Sequence, residues 1–276
     1  MPRSLFVGTL TLGLWLVLSG TAPGAELEEP TVSLLVPAYI WPAGKGLKDW
    51  ERLIAAADRV PIIAIVNRDS GPGKKVDEKF RALLEHARRS KLTIIGYVPL
   101  NYARRPVAGV KTEVDGWLSL YPGVLSGIFF DEQPSGPEGV PYVAECSAYV
   151  RSRITNARIV SNPGTTCAPE YLTIAGAPTV CLFENKSGID AYRPLPWQMN
   201  FHPGQMAVVL YDVRTAEAMK RSLREMVRKR AGFVYVTDDS GGNPWDRLPS
   251  YWDEEVAAVA AANRRPPGSR KKVSGR

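Results

Sequence analysis

Gly127-Ile128-Phe129-Phe130-Asp131-Glu132 is an apolar run that ends, without a spacer, in two acidic residues just before Gln133-Pro134. A strand that is apolar at consecutive positions is covered on both faces, as the parallel strands of α/β folds are. Folds of this kind place their chemistry at the carboxyl ends of their strands. The stretch therefore predicts a buried parallel strand that carries carboxylates to the rim of a sheet. The alternative is that Asp131 and Glu132 only open a turn before Pro134.

Other segments of the chain share this extended, apolar character. The eight predicted strands are Leu34–Ile40, Pro61–Val66, Leu92–Val98, Ser126–Asp131, Arg158–Ser161, Thr179–Glu184, Met206–Tyr211 and Gly232–Thr237. Eight strand–helix repeats in roughly 240 residues, without a break in composition, are what a (β/α)8 barrel requires. We therefore predict an α/β fold, a single-domain TIM barrel over residues 26–263, with a doubly wound sheet as the alternative.

Segments of helical periodicity lie between these strands. Apolar residues recur at steps of three and four along Val76–Ala87, Val110–Tyr121 and Ala216–Val227, which predicts helices that cover the sheet. Ser250 and Asp253 have the spacing of a capping box at the start of a last helix. The segments after the fifth and sixth strands are rich in Pro, Gly and Asn, so we expect long loops there instead of helices.

The net charge of +7 is concentrated at the two ends of the chain. Arg3, the apolar run Leu5–Leu18 and the small residues that follow predict a secretory signal peptide over residues 1–25, with an uncleaved anchor as the alternative. Residues 264–276 carry six basic side chains and no acidic one, which predicts a disordered tail. The intervening residues, 26–263, are then formally neutral, which argues against a nucleic-acid groove. We expect a secreted or periplasmic protein without stable membrane insertion after signal cleavage.

The chain contains three cysteines, Cys146, Cys167 and Cys181, without metal-type spacing. One pair could form a disulfide in an exported protein, and the sequence leaves open which pair. With only His86 and His202 as histidines, neither a zinc site nor a Ser-His-Asp arrangement is expected. We expect no metal and no cofactor, and a surface position for His86.

Polar or aromatic side chains follow nearly every predicted strand. The candidates for the mouth of the barrel are Tyr39, Asn67, Tyr97, Asn101, Asp131, Glu132, Asn162, Glu184, Asp238, Asp239 and Trp245. Alternate strands of a barrel share a layer of side chains, so the carboxylates of strands four and six are expected to face each other. Adjacent residues point to opposite sides of a strand, so one of Asp131 and Glu132 acts and the other supports it, unless the strand bends. Two facing carboxylates, with aromatic faces on which sugars stack, predict hydrolysis of a glycosidic bond.

Several motifs that end these strands occur in a fixed order between Val32 and Trp252. They are Val36-Pro37-Ala38-Tyr39, Gly96-Tyr97-Val98 with Asn101-Tyr102, Gly127 to Glu132, Asn162-Pro163-Gly164-Thr165, Phe183-Glu184, and Tyr235 to Asp239 with Asn243-Pro244-Trp245. The ordered set resembles the spherulin-4 (spherulation-specific) family. The resemblance implies a (β/α)8 fold and a secreted glycoside hydrolase, since the characterised fungal members are endo-α-1,4-galactosaminidases that cut galactosaminogalactan.

The same resemblance implies roles for individual residues. It implies Asp131, Glu132 and Glu184 as the catalytic acids, Asn162 as a neighbour that orients the substrate, and His202 as a further residue of the cleft. We therefore predict a secreted glycoside hydrolase whose partner is a polysaccharide, with Glu184 opposite one of the strand-four acids. Which acid is the nucleophile stays open. The main alternative is a non-catalytic carbohydrate-binding or cell-surface coat protein on a barrel scaffold. A nucleic-acid or membrane-surface binder that works through the basic tail is a third possibility.

Overall fold

The computed structural model describes residues 31–176, 178–186 and 188–264, and within them eight parallel strands close into a barrel in sequence order. The strands are β1 (Ser33–Ala38), β2 (Ile62–Val66), β3 (Thr93–Pro99), β4 (Gly127–Asp131), β5 (Arg158–Ser161), β6 (Thr179–Lys186), β7 (Met206–Tyr211) and β8 (Phe233–Val236). The predicted (β/α)8 barrel is therefore confirmed. The predicted signal peptide, 1–25, and the predicted tail after residue 264 lie outside the described residues.

Helices follow most strands and cover the outside of the barrel. They are α1 (Lys45–Ala56), α2 (Glu78–Ala87), α3 (Val107–Leu120), α4 (Val140–Arg153), α5 (Ala216–Arg228) and α6 (Trp252–Asn263). Short 3₁₀ turns take the place of a helix after β5 and β6, as the Pro- and Gly-rich composition there predicts. In the described part of the chain, no helix is long and apolar enough to span a bilayer.

The start of α6 differs from the prediction. The helix begins at Trp252 with Tyr251 as its N-cap residue, and no side chain caps it. The hydroxyl of Ser250 donates instead to Asp238 at 2.5 Å, so the predicted capping box with Asp253 is wrong. A charged partner in the preceding loop competes successfully for the serine hydroxyl because a hydrogen bond to a carboxylate is stronger than one to a backbone amide.

The layer between the helices and the barrel contains large aromatic side chains that also fix the strand ends. Trp50 of α1 and Trp117 of α3 are fully buried. Their indole N–H groups donate to the carbonyls of Ile40 and Tyr97, at 2.9 and 2.8 Å. Each helix is thereby attached to the carboxyl end of the strand that carries a candidate site residue. The three cysteines, Cys146, Cys167 and Cys181, are free and buried, so no disulfide forms among them.

Gly127 at the start of β4 is required by a close approach to β5. A Cβ atom at this position would lie 1.8 Å from the carbonyl oxygen of Arg158, its partner in the β4–β5 register. No side chain larger than hydrogen fits there. The glycine that opens the stretch Gly127–Glu132 therefore sets how closely β4 and β5 pack, and with it the separation of Asp131 from Asn162.

The barrel seam between β1 and β8 is open towards the mouth. The two strands pair only at Ser33 with Phe233 and Leu34 with Val234. Beyond these pairs, the N–H of Val236 donates to the carboxyl of Glu255 on α6 at 2.8 Å instead of to β1. Glu255 is fully buried, and its second oxygen has no hydrogen-bond partner within the described structure. Burial raises the pKa of Glu255 well above its ordinary value, with Asp238 adding to the shift.

Replacement of Glu255 by Gln is expected to stabilise the protein at neutral and alkaline pH. The folded state holds the Glu255 proton to higher pH than the unfolded chain does, so stability falls as pH rises above the ordinary range of a glutamate. The amide keeps the acceptor for Val236 and cannot ionise. Thermal unfolding at pH 8 should show Glu255→Gln more stable than the parent, with about 2–4 °C for each 1 kcal/mol gained.

The advantage of Glu255→Gln should shrink towards pH 4, where the parent carboxyl is protonated in both states. Glu254→Gln is the matched control, because Glu254 is the exposed neighbour on the same helix turn. An equal pH dependence of unfolding in parent and Glu255→Gln would contradict a neutral, buried Glu255.

Candidate active site

Asp131 and Glu132 diverge at the carboxyl end of β4. Phe129 and Asp131, two residues apart, both line a cavity at the mouth of the barrel. Glu132 does not line it, and its backbone is left-handed, with φ of 52°. A left-handed residue ends the strand, because the extended ladder cannot continue through it. The prediction that the two acids differ in direction is confirmed: Asp131 faces the barrel axis and Glu132 does not.

Glu184 reaches the mouth through an irregularity in β6. Cys181 and Glu184 both line the cavity although they are three positions apart, a spacing that would place them on opposite faces of a regular strand. The register against β7 shifts between Cys181 and Phe183, which makes Leu182 an extra residue in the strand. A bulge of this kind re-aims the side chains that follow it. The bulge therefore turns Glu184 inward.

Asn162, directly after β5, connects the two inward carboxylates. Its side-chain nitrogen Nδ2 donates to Oδ1 of Asp131 at 3.0 Å and to Oε2 of Glu184 at 2.6 Å. Its Oδ1 accepts from the N–H of Gly164 at 2.8 Å, so the amide group is oriented with its NH2 towards the acids. Asn162 itself is buried. One amide thus holds a carboxylate from β4 and a carboxylate from β6 in fixed relation.

The two bonds to Asn162 limit the separation of the acids. Because they share one nitrogen, the two acceptor oxygens cannot be further apart than the sum of the 3.0 and 2.6 Å distances. For comparison, the carboxyl groups of retaining glycosidases lie roughly 5–5.5 Å apart, and those of inverting ones roughly 6.5–9.5 Å. A link through a single amide nitrogen therefore favours the retaining separation over the inverting one.

The two acids have different electrostatic environments. Burial raises the pKa of Glu184, and the neighbouring Asp131 raises it further, while the hydrogen bond from Asn162 opposes the shift. Asp131 accepts hydrogen bonds at both oxygens, from the Tyr97 hydroxyl at 2.7 Å and from Asn162. Burial and the adjacent acids hold the pKa of Tyr97 far above its ordinary value, so its hydroxyl remains a donor. The raised pKa suits Glu184 to carry a proton, while both oxygens of Asp131 are occupied as hydrogen-bond acceptors.

The cavity beneath these acids has a volume of about 50 Å³, enough for more than one water molecule. Tyr39 and Trp245, both predicted for the mouth, belong to its lining. Trp245 enters through the open seam, where its carbonyl accepts the N–H of Tyr39 at 3.1 Å. The apolar part of the lining, which the sequence analysis did not single out, consists of Leu35, Pro37, Ile65, Phe129, Cys181 and Val209. Alternation along β1 and β4 could have identified Leu35, Pro37 and Phe129.

Other predicted residues have local structural partners at the rim. The side chain of Asn67 accepts the N–H of Gly71 and shapes the loop after β2. Asp238 and Asp239 both pair with Arg247, at 2.7 and 3.2 Å, and so order the loop between β8 and α6. Asn101 is exposed in the loop after β3. None of these residues lines the cavity.

His202 does not lie with Asp131, Asn162 and Glu184. It precedes β7, and its Nδ1 accepts the N–H of Gly204 at 3.0 Å. The adjacent Pro203 carbonyl accepts the N–H of Gly232 at the start of β8, which places this loop at the amino-terminal end of the barrel. The structure therefore puts His202 at the opposite end from the acids. His86 is exposed on α2, as predicted. The described residues contain no group of three or more His, Cys, Asp or Glu side chains arranged to bind a metal ion.

The sequence and the fold both have relatives. Residues 33–259 match the model of Spherulation-specific family 4. The chain is 29% identical over 267 residues to Spherulin-4 of Physarum polycephalum, an alignment that covers 90% of this chain and 78% of that protein. The crystal structure of Aspergillus clavatus Sph3 in complex with GalNAc has a TM-score of 0.71 and 23% identity, and the match covers 84% of this chain and 98% of that one. The likeness to Sph3 agrees with the barrel fold.

Proposed function

The chain belongs to Spherulation-specific family 4, and from this premise and the geometry of its mouth we propose that it is a retaining glycoside hydrolase acting on a polysaccharide. The observation that carries the proposal is the shared Asn162 nitrogen, which keeps one oxygen of Asp131 and one of Glu184 within the sum of 3.0 and 2.6 Å of each other, a limit that favours the retaining arrangement. If Asp131 and Glu184 only capped the loops that follow their strands, there would be no reason for both carboxylates to bond to the same buried amide.

The electrostatics support an assignment of roles to the two acids. Asp131 is the nucleophile: its carboxylate attacks the anomeric carbon, and the glycosidic C–O bond breaks. Glu184 is the general acid: it gives its proton to the leaving oxygen, which its raised pKa suits. In the second step Glu184 takes a proton from water as the water displaces Asp131 from the glycosyl-enzyme, which restores both groups. Tyr97 and Asn162 stabilise the Asp131 carboxylate between turnovers.

We further propose that the polysaccharide contains galactosamine units. The family resemblance supports this, as does the GalNAc in the crystal structure of Sph3, which shares the fold. The formally neutral charge of residues 26–263 suits an uncharged glycan, which a galactosamine polymer is where its amino groups are acetylated. The signal-peptide pattern of residues 1–25 supports action outside the cytoplasm.

Incubation of the chain with a panel of polysaccharides tests the proposed function. We expect soluble oligosaccharides, detected by mass spectrometry, from the galactosamine-containing members of the panel. Proton NMR of the first product formed should show the anomeric configuration of the substrate, as retention requires. Binding of these glycans without release of any fragment would support the non-catalytic alternative and overturn the hydrolase.

A further inference from the structure

Tyr102 is an exposed aromatic residue attached to the backbone of the acid-bearing segment. Tyr102 is 52% exposed, so much of its ring is accessible to a ligand. Its N–H donates to the carbonyl of Glu132 at 2.7 Å, and the N–H of Leu100 donates to the carbonyl of Asp131 at 2.8 Å. The loop that carries this ring is thereby bonded to both acidic residues at the end of β4.

The backbone under Tyr102 is strained. Asn101, Tyr102 and Ala103 are all left-handed, with φ of 48°, 53° and 62°, although none is a glycine. Each such residue costs on the order of 1 kcal/mol or more, and strain of this kind concentrates at ligand-binding and active sites. A turn that served only to connect β3 to α3 would be cheaper with glycine or asparagine at its centre. The presence of Tyr102 at the middle of this turn therefore indicates that its ring has a role of its own.

Polar contacts on both sides hold the loop in place. Arg105 donates to the carbonyl of Pro99 and forms an ion pair with Glu113, both at 2.5 Å. The N–H of Arg104 bonds to the carbonyl of Asn101 at 2.9 Å and closes the turn. A side chain presented by so restrained a backbone loses little further conformational entropy when it binds a ligand. The loop thus presents the ring of Tyr102 from a fixed position beside the end of β4.

Three other aromatic residues of the mouth, Tyr97, Trp245 and Trp41, already have partners. The hydroxyl of Tyr97 is bonded to Asp131, and Trp245 packs against Tyr211 and Tyr235. Trp41 is 44% exposed, but the guanidinium of Arg68 lies 4.9 Å from the centre of its ring. The guanidinium of Arg104 lies 5.9 Å from the centre of the Tyr102 ring, a longer contact than the one at Trp41, and Tyr102 is 52% exposed. Unlike Trp41, Tyr102 is bonded directly through its backbone to the segment that ends in the acids.

We propose that Tyr102 forms an outer carbohydrate-binding subsite, on which a pyranose ring of the polysaccharide stacks beside the catalytic acids. This proposal rests on the proposed glycoside hydrolase function and adds a residue that binds the chain outside the cavity. The flat face of a tyrosine suits the C–H face of a sugar ring, and its hydroxyl remains free to bond to a sugar hydroxyl. Because the subsite lies beyond the point of cleavage, it contributes only to substrates long enough to reach it.

Kinetics of Tyr102→Ala on substrates of two lengths tests the subsite. On the polysaccharide we expect KM to rise about tenfold, equivalent to 1.4 kcal/mol of binding, with kcat within about twofold of the parent. On an aryl monoglycoside, which cannot reach the subsite, parent and variant should have the same kcat/KM. Tyr102→Phe keeps the ring and should stay within about threefold of the parent KM on the polysaccharide, a loss of roughly 0.6 kcal/mol.

Met199→Ala is the control, because Met199 is a large side chain of similar exposure, 58%, in the connection that leads to the start of β7. It should leave both substrates unaffected. An unchanged KM in Tyr102→Ala on the polysaccharide, or equal losses on the long and short substrates, would overturn the subsite. If the parent cleaves no glycan, the hydrolase proposal fails by itself. The subsite is then tested by glycan binding, which Tyr102→Ala should weaken about tenfold and which it must weaken for the proposal to stand.

Discussion

Glu184→Gln is expected to lower turnover of the polysaccharide by roughly 10²–10⁴-fold, the usual contribution of a general acid, while the barrel folds normally. The substitution keeps the shape of the side chain and an oxygen that accepts the hydrogen bond from Asn162. It removes the only proton that the mouth offers to the leaving oxygen in the proposed mechanism. The loss should fall on kcat, because the proton is transferred in the transition state and not on binding.

The leaving group of the substrate separates an acid from a nucleophile. An electron-poor phenol departs without protonation, so Glu184→Gln should retain far more activity on such an aryl glycoside than on the polysaccharide. The pH dependence of activity gives a second test of the role of Glu184. Glu184 must be protonated in the first step, so the activity of the parent should fall as pH rises through its raised pKa. That alkaline limb should be absent from the profile of Glu184→Gln.

Stability provides the internal control for Glu184→Gln. The raised pKa of Glu184 means that the folded state binds this proton more tightly than the unfolded chain, so ionisation above the ordinary glutamate range destabilises the fold. The amide avoids this penalty, and thermal unfolding at neutral pH should show a variant at least as stable as the parent. Unchanged hydrolysis of the polysaccharide by a folded Glu184→Gln protein would refute the role of Glu184.

The barrel could be predicted from the sequence because its signals are local. Each strand is a short apolar run whose bounds the pattern gives within a few residues, and the missing helices after β5 and β6 are visible as Pro- and Gly-rich composition. The open seam between β1 and β8 carried no such signal. It depends on Glu255, an ionisable residue that is buried on α6 and takes the place of a strand as the partner of Val236.

The sequence predicted which polar residues meet at the candidate site, but not how their side chains are arranged there. Polar residues at strand ends meet at one mouth in any parallel barrel, so Asp131, Asn162 and Glu184 followed from the strand assignment. The bulge at Leu182 left no mark in the sequence, and without it the alternation along β6 would turn Glu184 away from the axis. His202 shows the opposite error. The family resemblance implied that it lies in the cleft, whereas its position before β7 places it at the other end of the barrel.

Asp131→Asn is expected to lower turnover by roughly 10³-fold or more on every substrate. Losses of this size are typical when one of a group of catalytic residues that act together is removed. The amide cannot attack the anomeric carbon, so a good leaving group should not restore activity, in contrast to Glu184→Gln. The fold tolerates the change because the hydroxyl of Tyr97 can accept as well as donate a hydrogen bond. Mass spectrometry of the parent with a slowly turned-over fluoro-sugar should show a glycosyl adduct that Asp131→Asn does not form.

Glu132→Gln is the matched variant, since the two acids are neighbours that differ in direction. Glu132 is turned out of the strand by its left-handed backbone and does not line the cavity, so its loss removes a charge near Tyr97 but no reacting group. Its turnover should exceed that of Asp131→Asn by at least about tenfold, a difference of roughly 1.4 kcal/mol in activation free energy. If Glu132→Gln were the more damaged variant, or if the adduct mapped to Glu132, the mouth would have to rearrange on binding substrate. The bend that ends β4 would then be the element that moves, because the φ of Glu132 decides which of the two carboxylates faces the sugar.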